Sequence, residues 1–220
     1  MNLTPDTLVE GLLLPKDRAN VWLPHLKTAM DEFVIDSVNE SAAFIAQVAV
    51  ETMGFRRMRE CMDYSTPERI WDIFKSKTDL DKDKVPDPEE TEMCRGFVHN
   101  PEKLANFVYA GRGGNDPDPA KGHGFMYRGG GGMHLTFLDG YRACGVALRI
   151  DLVGHPELIE RPDIAMRSAA WYWSVNKCDE PAERWDIRGV TKRINPGMAG
   201  QADRLTFSEK MRAALGGSPG

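Results

Sequence analysis

FIAQVAVETMGFRRMRECMDY, residues 44–64, decides the reading of this chain. Its first half has the pattern of a buried helix. Phe44, Val48, Glu51 and Phe55 follow i, i+4, i+7, i+11 spacing and share one stripe. A carboxylate, Glu51, therefore sits at or beside the apolar face. Burial disfavours the charged form, so its pKa is expected to rise, which suits a proton donor at neutral pH. The alternative is a structural Glu satisfied by Arg56, Arg57 or Arg59. Gly54 is placed to end the helix. The chain can then turn so that Glu60 faces Glu51 across a gap, and two carboxylates across a groove are the apparatus of glycoside hydrolysis. Taken alone, Glu60 reads as a surface residue.

Working outward, helical patterns dominate. Ser37 and Glu40 are spaced as a capping box opening the central helix, which is expected to run to about Met53. Thr66 and Pro67 form an N-cap and first-turn pair for residues 66–76. Further helices are expected over 5–14, 19–33, 101–109, 163–175, 182–194 and 199–214. Residues 110–135 differ, with nine glycines and two prolines in 26 positions. That composition predicts an irregular loop ending in a short extended piece, Met133–Thr136. Trp171 and Trp173 read as core residues. The fold class is mainly α with a small loop or β insert.

The 220 residues suit one domain. No apolar run is long enough to cross a bilayer, and the first residues lack the basic start and apolar core of a signal peptide. A net charge of −5 argues against a general nucleic-acid binder. Residues 79–92 carry seven acids against two lysines and read as a solvated loop, whereas 182–212 carry seven Lys/Arg against four acids. Cys61, Cys94, Cys144 and Cys178 have no C-x-x-C spacing, and the five histidines are scattered without an H-E-x-x-H. Free thiols, no metal site and no cofactor are expected.

Five segments resemble glycoside hydrolase family 19, the plant-type chitinases and many phage endolysins. AQVAVETMGF with ECMDYS nine residues after its Glu resembles A-Q-x-x-H-E-[ST]-G-G-F followed by Glu and N-Y-S. YAGRGGN (109–115) resembles Y-A-N-R-x-G-N, and YRGGGGMHLTFLDGY (127–141) resembles Y-R-G-R-G-x-[IL]-Q-L-T-x-x-x-x-Y. SAAWYW (168–173) fits as well, and KRINPG (192–197) resembles R-R-I-N-G-G. The segments span about residues 40–200. The resemblance implies an α+β lysozyme-like fold, two helical lobes around a glycan-binding cleft, in a single catalytic domain over 1–220 without a separate wall-binding domain. It implies an inverting mechanism with Glu51 as general acid, Glu60 as general base and Thr136 holding the attacking water. Tyr127, His134, Tyr141, Arg193 and Asn195 fall at substrate-contacting positions, with Arg193 supporting the carboxylates. Asn195 reads equally as a turn-former before Pro196. Gly129–Gly132 lack P-loop spacing and read as a glycine-lined wall for sugar.

Four positions depart from the family pattern: its His is Val50, a Gly is Met53, an Arg is Gly130 and a Gln is His134. The two glutamates and Thr136 are kept. The expected function is a phage endolysin cutting β-1,4 bonds of peptidoglycan glycan strands. The alternatives are a chitinase acting on N-acetylglucosamine polymers and a catalytically impaired glycan-binding protein. The endolysin reading implies a monomer made in the host cytoplasm and acting in the periplasm. It has no stable membrane association and depends on a holin-type release partner.

Overall fold

The computed structural model describes residues 2–217. It is mainly α, as expected. Among the described residues the isolated extended pairings are Arg59 with Gly130 and Gly130 with Leu135. The helices are α1 (Pro5–Leu12), α2 (Lys16–Glu32), α3 (Val38–Glu51), α4 (Pro67–Thr78), α5 (Pro88–Arg95) and α6 (Pro101–Tyr109). They continue with α7 (His123–Met126), α8 (Leu138–Leu148), α9 (Pro162–Val175), α10 (Asp179–Glu183), α11 (Ile187–Ile194) and α12 (Gln201–Ala214). None of these is long and apolar enough to cross a membrane.

The chain forms two compact units. The first takes residues up to Arg59, Gly129–Leu135 and the chain from Arg142 onward; the second takes Glu60–Arg128 and Thr136–Tyr141.

In the first unit α3 is the central element. Every residue from Ser41 to Val48 is fully buried, as a helix apolar on all sides must be. α3 packs on α12, α1 on α12, and α2 on α9. Phe44 meets Trp173 edge-on, with ring centroids 5.5 Å apart. Ser37 caps α3 by accepting the amide of Glu40 at 3.1 Å. The reciprocal half of the capping box is not made. The Glu40 carboxylate instead accepts the indole N–H of Trp173 at 2.8 Å, because a buried indole needs an acceptor. Trp173 is core, while Trp171 is only half-buried.

α3 stops at Glu51, two residues before the expected end. Thr52 Oγ1 donates to the Val48 carbonyl at 2.6 Å and accepts the Phe55 amide at 2.9 Å. Met53, Gly54 and Phe55 all take left-handed φ, +52°, +71° and +59°. The Gly54 amide closes the turn on Ala49 O at 2.7 Å.

The second unit has its own core: Met62, Ile70 and Trp71 from the start of the unit and α4, with Cys94, Phe97, Leu104, Ala105 and Val108. The acidic 79–92 segment is helical from Pro88 rather than a loop throughout. Residues 110–135 hold a 3-10 turn at Pro119–Lys121 and the short α7, more helix than their glycine content predicts. Met133–Thr136 does not begin as an extended piece. Gly131 (φ +75°) and His134 (φ +46°) fold a turn closed by paired hydrogen bonds between Gly130 and Leu135. The helix expected over 182–194 is broken, with Trp185 at φ +59° between α10 and α11. All four cysteines are free, three of them buried, and burial pushes the thiols of Cys144 and Cys178 up to about 12.

Candidate active site

Glu51 is the last residue of α3, and its side chain is 14% exposed. Its partner is none of the three nearby arginines. Arg56 and Arg57 are exposed, and Arg59 bonds Pro156 O and pairs with Glu160. Arg204 of α12 donates to Glu51 Oε1 at 2.5 Å from a side chain only 2% exposed. The same guanidinium bonds Gln47 Oε1, and its Nε donates to Ala199 O at 3.0 Å. Gln47 lies one turn before Glu51 and donates to Thr191 Oγ1 at 3.3 Å, which donates to Ile187 O at 2.9 Å. Three helices thus hold Arg204 in one orientation, and a fully satisfied buried network of this kind is stiff.

His134 Nδ1 lies 3.8 Å from the second oxygen of Glu51, within ion-pair reach but too far for a hydrogen bond. Tyr172 stands close enough to feel the same charge. Burial first, then the nearby Cys178 and Glu51, raise its phenol pKa. Val50, at the position of the family's His, lines the turn that starts α12. A Cβ on Gly200 would come within 3.2 Å of Val50 Cγ1.

In the second unit Glu60 is held by Tyr109, whose hydroxyl donates to Oε1 at 2.8 Å. Burial and then the Glu60 charge push the Tyr109 pKa far above the usual phenol range, so it stays a donor. Arg128 Nε reaches the Glu60 carbonyl at 3.4 Å, and its NH1 donates to Phe125 O at 2.7 Å. The YAGRGGN segment builds the wall behind Tyr109. Asn115 donates to Tyr109 O and accepts the Leu138 amide, both at 3.0 Å. Gly113, at φ +50°, lies so close to Phe137 that a Cβ would stand 2.5 Å from it. Phe137 in turn meets the Tyr109 ring edge-on at 5.4 Å. Thr136 directly precedes Phe137, whose ring meets that of Tyr109, the residue that holds Glu60.

The other expected contact residues have different surroundings. Tyr127 and Tyr141 are 4% and 0% exposed. The Tyr141 hydroxyl donates to Arg128 O at 2.8 Å, and Tyr127 O accepts the Phe137 amide at 2.7 Å. Both therefore position the Glu60 wall. Arg193 pairs with Glu180 at 2.8 Å and bonds carbonyls beyond the end of α9, so its ionic partner is neither candidate carboxylate. Asn195 acts as the turn-former, its Oδ1 accepting the Gly197 amide at 3.1 Å. Gly131 and Gly132 are required by packing. A Cβ would meet Ser168 Oγ at 2.4 Å from the first and Ala169 Cβ at 2.9 Å from the second. Sequence reasoning missed Arg204, Gln47, Tyr109 and Tyr172. The Gln in A-Q-x-x-x-E, one turn before the Glu, was the available signal for the second.

The family model described as chitinase class I, glycoside hydrolase family 19, matches residues 82–206. A glycosyl hydrolase family 19 domain-containing protein of Haemophilus influenzae is 36% identical over 166 residues, 75% of this chain and 74% of its own length. The chain belongs to glycoside hydrolase family 19. Endochitinase 2 of Gossypium hirsutum is 33% identical over 88 residues, 40% of this chain and 28% of that protein. Among solved structures, chitinase C from Streptomyces griseus superposes with a TM-score of 0.59 at 17% identity, covering 99% of this chain and 78% of that one. The likeness establishes a lysozyme-like family 19 fold. As a member of that family the chain is a glycoside hydrolase. The matched span includes Thr136 and Arg204 and begins after both Glu51 and Glu60.

Proposed function

We propose that this glycoside hydrolase is a phage endolysin that cuts β-1,4 bonds of the peptidoglycan glycan strand with inversion. Glu51 is the general acid, protonating the leaving glycosidic oxygen. Glu60 is the general base, taking a proton from water that Thr136 orients through its hydroxyl. The observation carrying this reading is the Glu51–Arg204 contact. When Glu51 gives up its proton, the new negative charge forms against a buried guanidinium already fixed by Gln47 and Ala199. Tyr109 does the complementary work of fixing the Glu60 side chain.

The peptidoglycan reading rests on the resemblance of the motifs to family 19 phage endolysins; a bacterial family 19 protein aligns over most of both chains, and the Gossypium hirsutum endochitinase aligns over less than half of this chain. In this reading the protein is a monomer made in the host cytoplasm, and a holin-type partner lets it reach the periplasm. The test is digestion of purified sacculi and of chitin oligosaccharides, followed by mass spectrometry and anomer analysis of early products. Muropeptides with a new reducing end and the inverted anomer are expected, with chitin cut more slowly. Glu51→Gln and Glu60→Gln should each lose at least about a hundredfold in kcat. Glu51→Gln lysing permeabilised Gram-negative cells as fast as the parent would remove Glu51 as the acid. Faster release from chitin than from sacculi would make the chain a chitinase.

A further inference from the structure

The acidic stretch has a spacing that its composition hides. Residues 79–90 read DLDKDKVPDPEE, with acids at the first, third, fifth, ninth, eleventh and twelfth positions. The EF-hand calcium loop uses that pattern: side-chain oxygens from positions 1, 3 and 5, a carbonyl from 7, position 9 often through water, and a bidentate Glu from 12. The flanking helices agree, since α4 ends at Thr78, just before the first position, and α5 begins at Pro88, the tenth. Where the motif carries Gly at position 6, this chain has Lys84, at φ +68°.

Two observations go beyond the pattern. Ligand oxygens of Asp79, Asp81 and Asp83 gather within 4.8 Å of one another. Asp79 Oδ2 accepts the Lys84 amide across the loop at 3.1 Å. Its other oxygen, Oδ1, is closed off from solvent and accepts no hydrogen bond. A bare, buried carboxylate oxygen is costly, and among clustered carboxylates a hard cation is the partner that satisfies it. The twelfth residue, Glu90, is 1% exposed and turned inward, accepting from the Leu80 amide at one oxygen and from Trp71 Nε1 and the Asp87 amide at the other. An ionised carboxylate offers about four lone-pair sites, so these three donors leave Glu90 room for one bond to an ion.

We propose that residues 79–90 bind one calcium ion, through the carboxylates of Asp79, Asp81, Asp83 and Glu90 and the carbonyl of Val85. Six carboxylates against two lysines in the segment supply the charge, and an all-oxygen protein set of this size suits calcium better than magnesium. The ion ties the end of α4 to the start of α5, in the unit that also carries Glu60.

The test uses the full chain after chelator treatment. It is titrated with Ca2+ by calorimetry, and with Tb3+ under tryptophan excitation, since the Trp71 indole bonds the proposed ligand Glu90 at 3.0 Å. One Ca2+ per chain is expected, with a Kd of about 1 mM or tighter, a calcium-dependent rise in Tm, and sensitised Tb3+ emission that Ca2+ displaces. Asp81→Asn with Asp83→Asn keeps the acceptors these side chains offer to the Asp83 and Val85 amides. That double variant should melt within ~2 °C of the parent without calcium and bind at least about tenfold more weakly. A parent giving neither heat nor displaceable emission at about 10 mM Ca2+ overturns the proposal, as does a double variant that binds like the parent. If the double variant does not fold, Asp79→Asn alone is judged by the same criterion.

Discussion

Arg204 reaches Glu51 from 153 residues further along the chain, and its removal would strand three acceptors, Glu51, Gln47 and the Ala199 carbonyl. Breaking a buried ion pair from one side costs about 3–5 kcal/mol. Arg204→Ala should therefore lower Tm by roughly 10 °C, read by circular dichroism. Arg204→Lys keeps a charge but loses the fork that serves Glu51 and Gln47 together. It should recover part of the stability while kcat stays depressed, and equal recovery of both would show that only the charge matters. Met53 makes the opposite case. Its side chain is 58% exposed and its φ is +52°, a conformation that costs an L-residue about 1–2 kcal/mol. Glycine relieves that strain but frees the unfolded chain. Met53→Gly is thus expected to stabilise by about 0.5–1 kcal/mol, raising the denaturant midpoint. The place of Glu51 at the end of an apolar stripe was legible because helical spacing is local information. Its partner was not, because three arginines lie closer in sequence and only the packing of α12 on α3 brings Arg204 in.

At the scale of elements, local chemistry was legible where a cap or a stripe dictated it. Thr66 caps as read, and Ser37 caps α3 without the reciprocal Glu40 bond of a capping box. The stop after Glu51 was legible from Gly54 to within two residues, whereas the break at Trp185 was not, because a left-handed position held by a non-glycine residue leaves no mark in composition. Nor was α5, since its acids looked like solvent-facing charge, yet Glu90 is buried and caps the helix. Glu40 gives this scale a pH prediction. Burial raises its pKa, the Trp173 hydrogen bond opposes the rise, and Asp179, Glu183 and Asp36 add to it. The folded-state value therefore lies above the unfolded one. The contribution of Glu40 to stability is fully present below the unfolded pKa and is lost as pH rises through the folded pKa. Glu40→Gln keeps an acceptor for the indole without that loss. The variant should match the parent below about pH 4 and exceed it at neutral pH, as urea midpoints across that range would report. A constant difference at every pH would mean the carboxylate is not the source.

For the molecule as a whole, the sequence indicated one mainly helical domain, and the structure resolves two cores with an uneven dependence on distant chain. The first unit is assembled from three separate stretches, and its central contacts join α1 and α3 to α12 near the other end of the chain. Hydrophobic patterning identifies these helices but carries no information on which of them pair. Such long-range closure must be completed before burial rewards it, which slows folding relative to a local bundle. It also makes the first unit dependent on its last helix. A chain ending at Met198 would lack Met211, which is fully buried in the first core, as well as Arg204. Among the described residues, the second core draws its buried members from Met62 to Val108, and the partly buried ones packed on them reach only to Phe125. Truncation after Met198 should therefore abolish cooperative unfolding of the first unit while the second retains protected amides. Hydrogen exchange would read this as fast exchange through α3 and slow exchange persisting in α4 and α6. Equal loss of protection in α3, α4 and α6 would mean that the two cores fold as one and that the second has no stability of its own.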